Sequence, residues 1–138
     1  MARRYVADLK EARTNGSKTI LLVDDEERVL LVLGTICSSE GYKVLKANSG
    51  REALELCREQ HVDLVILDIY MPDMNGLDLI RRLRTSYSQA KIIAISGGGP
   101  LAGKDVLQLA RERGASQTFG KPFQLQELKE AIQKLLDG

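Results

Sequence analysis

At 138 residues, with 20 basic and 19 acidic side chains and a formal net charge of +1, the chain suits one domain whose core needs no metal or disulfide. The near balance of charge excludes the broad electrostatic footprint of a duplex nucleic-acid or anionic-membrane binder. No apolar run approaches the ~20 residues needed to span a bilayer, and the N-terminus has no signal-peptide core, so a soluble cytoplasmic protein is expected.

Residues 1–18 carry five basic and two acidic side chains and end in the turn-like Thr14-Asn15-Gly16-Ser17. Tyr5, Val6, Leu9 and Ala12 fall at roughly helical spacing, so this extension is expected to be either disordered or a short packed helix. The domain proper is expected over 19–138. Its elements alternate: β1 at 19–23, α1 at 26–40, β2 at 43–47, α2 at 49–60, β3 at 63–67, α3 at 76–86, β4 at 91–95, α4 at 102–113, β5 at 116–119 and α5 at 124–137. Gly41 and Gly114 stand where helix-terminating glycines belong, and Asn48-Ser49 with Glu52 reads as an N-terminal cap for α2. Strict alternation with short apolar strands implies a parallel sheet covered by helices on both faces. Cys37 and Cys57 lack CxxC spacing and read as small buried hydrophobes.

In such a sheet every strand end opens onto one crevice. Asp24-Asp25 follow β1, Asp68 follows β3, Ser96 follows β4, and Lys121-Pro122 follow β5. Three carboxylates, one hydroxyl and one ammonium are therefore predicted to converge. Crowded carboxylates call for a hard cation such as Mg²⁺, while a lone ammonium and a hydroxyl suit phosphoryl oxygens. The sole histidine, His61, falls in the α2–β3 turn away from the crevice, which leaves hydrolase constellations unsupported. An aspartate nucleophile toward phosphorus fits better.

These segments carry a resemblance. Leu21-Leu22-Val23-Asp24-Asp25-Glu26, Leu67-Asp68-Ile69-Tyr70-Met71-Pro72-Asp73-Met74-Asn75-Gly76, Ile95-Ser96 and Phe119-Gly120-Lys121-Pro122-Phe123, in this order and spacing, resemble the receiver (response-regulator) domain of two-component signalling. The resemblance is to the single-domain, chemotaxis-regulator-like members. It implies a flavodoxin-like, doubly wound five-stranded sheet in the order 2-1-3-4-5. It implies a phosphoacceptor rather than an enzyme, with only self-phosphorylation from small donors and self-dephosphorylation. Asp68 would accept the phosphoryl group, Asp25 would ligate Mg²⁺ directly, Asp24 mostly through water, and the Tyr70 carbonyl would be a further ligand. Ser96 would be the switch hydroxyl, Lys121 the ionic partner, and the Lys121-Pro122 bond cis. The implied partners are a sensor histidine kinase or a histidine phosphotransfer protein, with an effector not identified. A phosphorylation-dependent homodimer is a further option, and no direct nucleic-acid or membrane partner is implied.

Two alternatives compete. The chain ends about where α5 ends, so it is either whole, with output through a partner surface, or the receiver half of a longer transcriptional or enzymatic regulator. Gly98-Gly99-Pro100-Leu101-Ala102-Gly103-Lys104 also matches part of a nucleotide-binding P-loop, but Asp105 stands where a hydroxyl should meet Mg²⁺.

The family often has an aromatic residue three positions before the lysine, where this chain has Thr118, and Phe119 should point into the core. The switch is then expected to reside in Ser96 and the following Gly97-Gly98-Gly99-Pro100 loop. On α1, the period Val29, Val32 or Leu33, and Ile36 reads as core-facing. That leaves Leu30, Leu31, Gly34 and Thr35 as an outward apolar patch for docking a phosphodonor, or for residues 5–12 to cover.

Overall fold

Five short runs of apolar residues form a sheet in which every neighbouring pair is parallel, in the order β2-β1-β3-β4-β5. The computed structural model describes residues 18–97 and 104–137. The elements are β1 (Thr19–Val23), α1 (Glu27–Ser39), β2 (Lys43–Ala47), α2 (Gly50–Glu59), β3 (Leu64–Asp68), α3 (Gly76–Ser86), β4 (Lys91–Ser96), α4 (Lys104–Glu112), β5 (Gln117–Gly120) and α5 (Leu125–Asp137). Residues 1–17 of the expected extension over 1–18, residues 98–103 of the P-loop-like stretch over 98–104, and residues 98–100 of the expected switch loop lie outside the described residues.

Alternation along the strands divides the core in two. Leu21, Val23, Val65, Leu67, Ile92 and Ala94 face α2, α3 and α4. Ile20, Leu22, Leu64, Ile66, Ile93 and Ile95 face α1 and α5. Central β1 and β3 are apolar on both faces because both are covered, whereas edge strand β2 turns Lys43 and Lys46 to solvent.

Local chemistry sets the ends of the elements. Gly41 and Gly114 have φ of 96° and 122°, the left-handed region that glycine enters without strain. Ser49 Oγ accepts from the Glu52 amide at 3.1 Å, and Glu52 Oε1 accepts from the Asn48 amide at 2.8 Å. The expected cap of α2 is therefore present. Asn75 Oδ1 caps α3 by accepting from the Leu77 amide at 2.7 Å.

The face of α1 differs from expectation. Leu30, Leu33, Gly34 and Cys37 are buried, while Leu31 and Val32 are 60% and 47% exposed. Apolar residues occupy nearly every position from Val29 to Leu33, so two helical phases satisfy the same period and sequence alone does not choose between them. Gly34 lies under Lys46, whose Cε would stand 2.8 Å from a Cβ there, a contact the flexible lysine end can relieve by moving.

Gly76 is the tightest point near the strand ends. A Cβ there would lie 2.5 Å from the Ile69 Cα and 2.9 Å from the Asp68 carbonyl oxygen, both backbone atoms that cannot step aside. Gly76→Ala should destabilise the fold by roughly 1–3 kcal/mol, read as a lower urea midpoint with unchanged slope.

Candidate functional site

Strand register delivers the site. Val23 pairs with Leu67 and Leu67 with Ala94, so the residues that follow β1, β3 and β4 emerge at one edge. Asp24, Asp25 and Asp68 each offer a carboxylate oxygen to a cluster whose atoms all lie within 4.8 Å of one another. Asp24 is buried, held by its amide to the Ala47 carbonyl at 3.1 Å, and its Oδ1 accepts from the Glu26 amide at 2.9 Å. Asp25 is exposed. Asp68 ends β3 and its Oδ1 accepts from the Tyr70 amide at 3.2 Å.

Lys121 approaches from the other side, with Nζ 3.9 Å from Asp68 Oδ2. Its amide donates to the Ser96 carbonyl at 2.9 Å, and the Lys121-Pro122 bond is cis, as the resemblance implied. Gly97 makes the approach feasible, since a Cβ there would fall 2.6 Å from Lys121 Cδ. Sequence reasoning gave Gly97 only a loop role. Its clearance function carries no local signal, because the partner lies 24 residues on.

Ser96 is buried at the end of β4, and its Oγ has no hydrogen-bond partner among the described residues. A buried hydroxyl without an acceptor costs about 1–3 kcal/mol. Tyr70 joins Asp25, Ile69, Met71, Pro72 and Asn75 around a cleft of about 370 Å³ at the edge of the acid cluster. Thr118 does not reach the crevice: its Oγ1 accepts from Arg111 Nη1 at 2.6 Å, tying β5 to α4. Phe119 packs on the α1/α5 side of the core and against Phe123, with ring centroids 5.6 Å apart. His61 lies at the opposite end of the sheet, exposed, with Nε2 2.9 Å from Asp63 Oδ1.

Burial pushes the Asp24 carboxyl up to about 6, against the lowering effect of the Glu26 amide, and Asp68 and Asp25 raise it further. Burial likewise raises Asp68, opposed by the Tyr70 amide and by Lys121. Asp24 and Asp68 thus hold protons more readily than free carboxylates, chiefly because burial disfavours the charged form and to a smaller degree because neighbouring acids do. A divalent cation fits this donor set, being hard, oxygen-seeking and doubly charged. The acid cluster can hold such an ion, with the Lys121 ammonium at its side.

A comparison with known families decides the reading. A model of the response regulator receiver domain matches residues 20–133. The chain belongs to that family. It is 32% identical to sporulation initiation phosphotransferase F of Bacillus subtilis over 87% of this chain and 94% of that protein. Chemotaxis protein CheY of Thermotoga maritima is 38% identical, over 86% of this chain and 97% of that protein. Among solved structures, the beryllofluoride-activated NtrC4 receiver domain dimer superposes with a TM-score of 0.78 at 29% identity, covering 86% of this chain and 96% of that one. The receiver is therefore a phosphoacceptor switch of two-component signalling, on the sheet order expected for it. Among the described residues, no helix is long and apolar enough to cross a membrane.

A pH dependence follows from Asp24. Its carboxyl binds a proton more tightly folded than unfolded, so the associated stability is present near pH 4 and lost as pH rises through about 6. The metal-free receiver should lose roughly 1–3 kcal/mol across that window. Asp24→Asn should flatten the loss and raise the metal-free unfolding midpoint at pH 7–8, which thermal melts in chelator would show.

Proposed function

We propose that Asp68 is the phosphoacceptor of this receiver, with Asp24, Asp25 and the Tyr70 carbonyl holding Mg²⁺, Ser96 as switch hydroxyl and Lys121 as phosphoryl partner. The observation that carries the reading is the acid cluster, with an ammonium 3.9 Å from Asp68 and a buried hydroxyl lacking a partner among the described residues. Asp68 attacks phosphorus, a P–O bond forms as the P–N bond to a donor imidazole breaks, and the imidazole leaves as the neutral base after gaining a proton. Mg²⁺, when bound, would neutralise charge on the phosphoryl oxygens. Lys121 takes up part of that charge, and the Ser96 hydroxyl donates to an oxygen of the acyl phosphate. Small donors such as acetyl phosphate serve the same nucleophile, so the domain's own chemistry is limited to gaining and losing the group.

With Mg²⁺ and a small phosphodonor, one phosphoryl group should add to the protein, and Asp68→Asn should abolish it while leaving the fold intact. Asp25→Ala should weaken Mg²⁺ binding at least about tenfold, since a direct charged ligand is lost. Mass spectrometry and metal titration check both. Labelling that survives Asp68→Asn would sink the assignment.

The donor is a histidine kinase or a histidine phosphotransfer protein, as the similarity to a sporulation phosphotransferase supports. Its docking surface is an open groove of about 780 Å³ beside the acid cluster, walled by Val29, Val32, Phe123 and Leu125 and ending at Asp24 and Lys121. Val32 and Leu125 are exposed in it, an apolar lining that suits the side of a helix bearing a phospho-histidine. Val32 replaces the outward patch expected from sequence: Leu30 and Gly34 are buried, and Leu31 lies outside the groove lining. Val32→Lys should slow phosphotransfer from the cognate protein donor about tenfold or more while leaving phosphorylation by small donors unchanged; Leu31→Lys should do less. Equal rates from the protein donor would remove the groove from consideration. The NtrC4 comparison supports a phosphorylation-dependent dimer, and a cytoplasmic location accords with this chemistry.

A further inference from the structure

The loop that leaves β3 carries the Tyr70 carbonyl and is fastened to a helix that takes no part in the acid cluster. Asp73 Oδ1 accepts from the Gly50 amide at 3.1 Å, and its Oδ2 accepts from the Arg51 amide at 3.2 Å. Both donors belong to the first turn of α2, where free amides and the helix dipole favour an anion. That helix has its own cap already, because Ser49 takes the Glu52 amide and Glu52 reaches back to Asn48. Next to the clasp, a Cβ on Gly50 would stand 2.9 Å from both the Cβ and Sδ of Met74, so the loop lies flat against the helix start. At its other end the loop closes through the Gly76 amide to the Ile69 carbonyl at 2.7 Å.

We infer that Asp73 is a positioning residue for metal binding: by clasping the first turn of α2 it fixes the loop whose Tyr70 backbone orients Asp68 and frames the cleft beside Asp25. The link is short. The Tyr70 amide holds Asp68 Oδ1 at 3.2 Å, so a shift of the loop turns the acceptor carboxylate. Asp25, Tyr70, Met71 and Asn75 share one cleft, so the same shift changes the spacing of groups from two strands. Without the clasp the loop must be ordered anew each time the cation arrives, and lost backbone freedom weakens the affinity. The inference rests on the reading of this site as a Mg²⁺-assisted phosphoacceptor.

The test is a Mg²⁺ titration of the full chain, followed by amide chemical shifts, for wild type, Asp73→Ala, Asp73→Asn and Ser49→Ala. Asp73→Ala should weaken Mg²⁺ about fivefold and speed hydrogen exchange at Gly50, Arg51 and residues 70–74, with Asp73→Asn, which keeps one acceptor, in between. The maximal phosphorylation rate at saturating Mg²⁺ should stay within about twofold of wild type, because the clasp acts on binding rather than on the nucleophile. Ser49→Ala removes a cap from the same helix without touching the loop, so it should lower stability by a similar amount and leave Mg²⁺ affinity alone. The weakening should persist at roughly 0.5 M salt, where a distant charge effect would be screened. Unchanged affinity in Asp73→Ala, equal weakening in Ser49→Ala, or loss of the effect in salt would each overturn the inference while the phosphoacceptor reading stood. Failure of wild type itself to bind Mg²⁺ would overturn that reading and the inference with it.

Discussion

The gathering of Asp24, Asp25 and Asp68 at one end of the sheet, with Asp24 taken out of water, is the constraint on which the rest of the domain depends. Their oxygens lie within 4.8 Å of one another, and the ammonium of Lys121 stands 3.9 Å from Asp68 Oδ2. The folded state therefore holds a local excess of negative charge that only a buried proton or an incoming cation relieves. Burial of Asp24 sharpens the conflict, since desolvation disfavours its charged form. The apolar core holds the cluster in place, because Val23 and Leu67 are packed in the sheet and fix the carboxylates that follow them, as Ile95 on the other face fixes Ser96.

Glycine and register do the remaining placement. The parallel ladder fixes which residues leave the sheet together, with Asp68 level with Ile95 and Ser96 level with Gly120. Gly97 and Gly76 then allow two close approaches, a lysine stem over one and a strand-end backbone against the other. The same economy appears at α1, where Gly34 accommodates a lysine stem from the neighbouring strand. In each case the missing Cβ serves a contact between different elements, and at Gly76 and Gly97 a larger residue would press on Asp68 or Lys121.

The strands, the helices, both helix-terminating glycines and the cap of α2 were legible because each is dictated by neighbours within a few residues. The site was legible for a related reason: its groups sit immediately after recognisable strands, and parallel topology brings all such positions together. What the sequence concealed was phase and partnership. The run Val29 to Leu33 of α1 is apolar throughout, so its own period does not choose the face, and the core that receives Leu30, Leu33 and Cys37 lies on other elements. Thr118 reads as the absence of an aromatic, and only the fold shows it engaged by Arg111 across the gap to α4. Asp73 sits in plain view within the motif after β3, yet its partners lie 22 and 23 residues earlier, beyond any local pattern.

The two cysteines have a consequence for the kind of signal this domain accepts. Cys37 and Cys57 are buried on opposite faces of the sheet, and burial pushes each thiol up to about 11. At neutral pH nearly all of each remains in the protonated form, which is a poor nucleophile toward peroxides and disulfides. Oxidants thus find no ready thiolate in the described core, and both sulfurs lie away from the acid cluster at the strand ends.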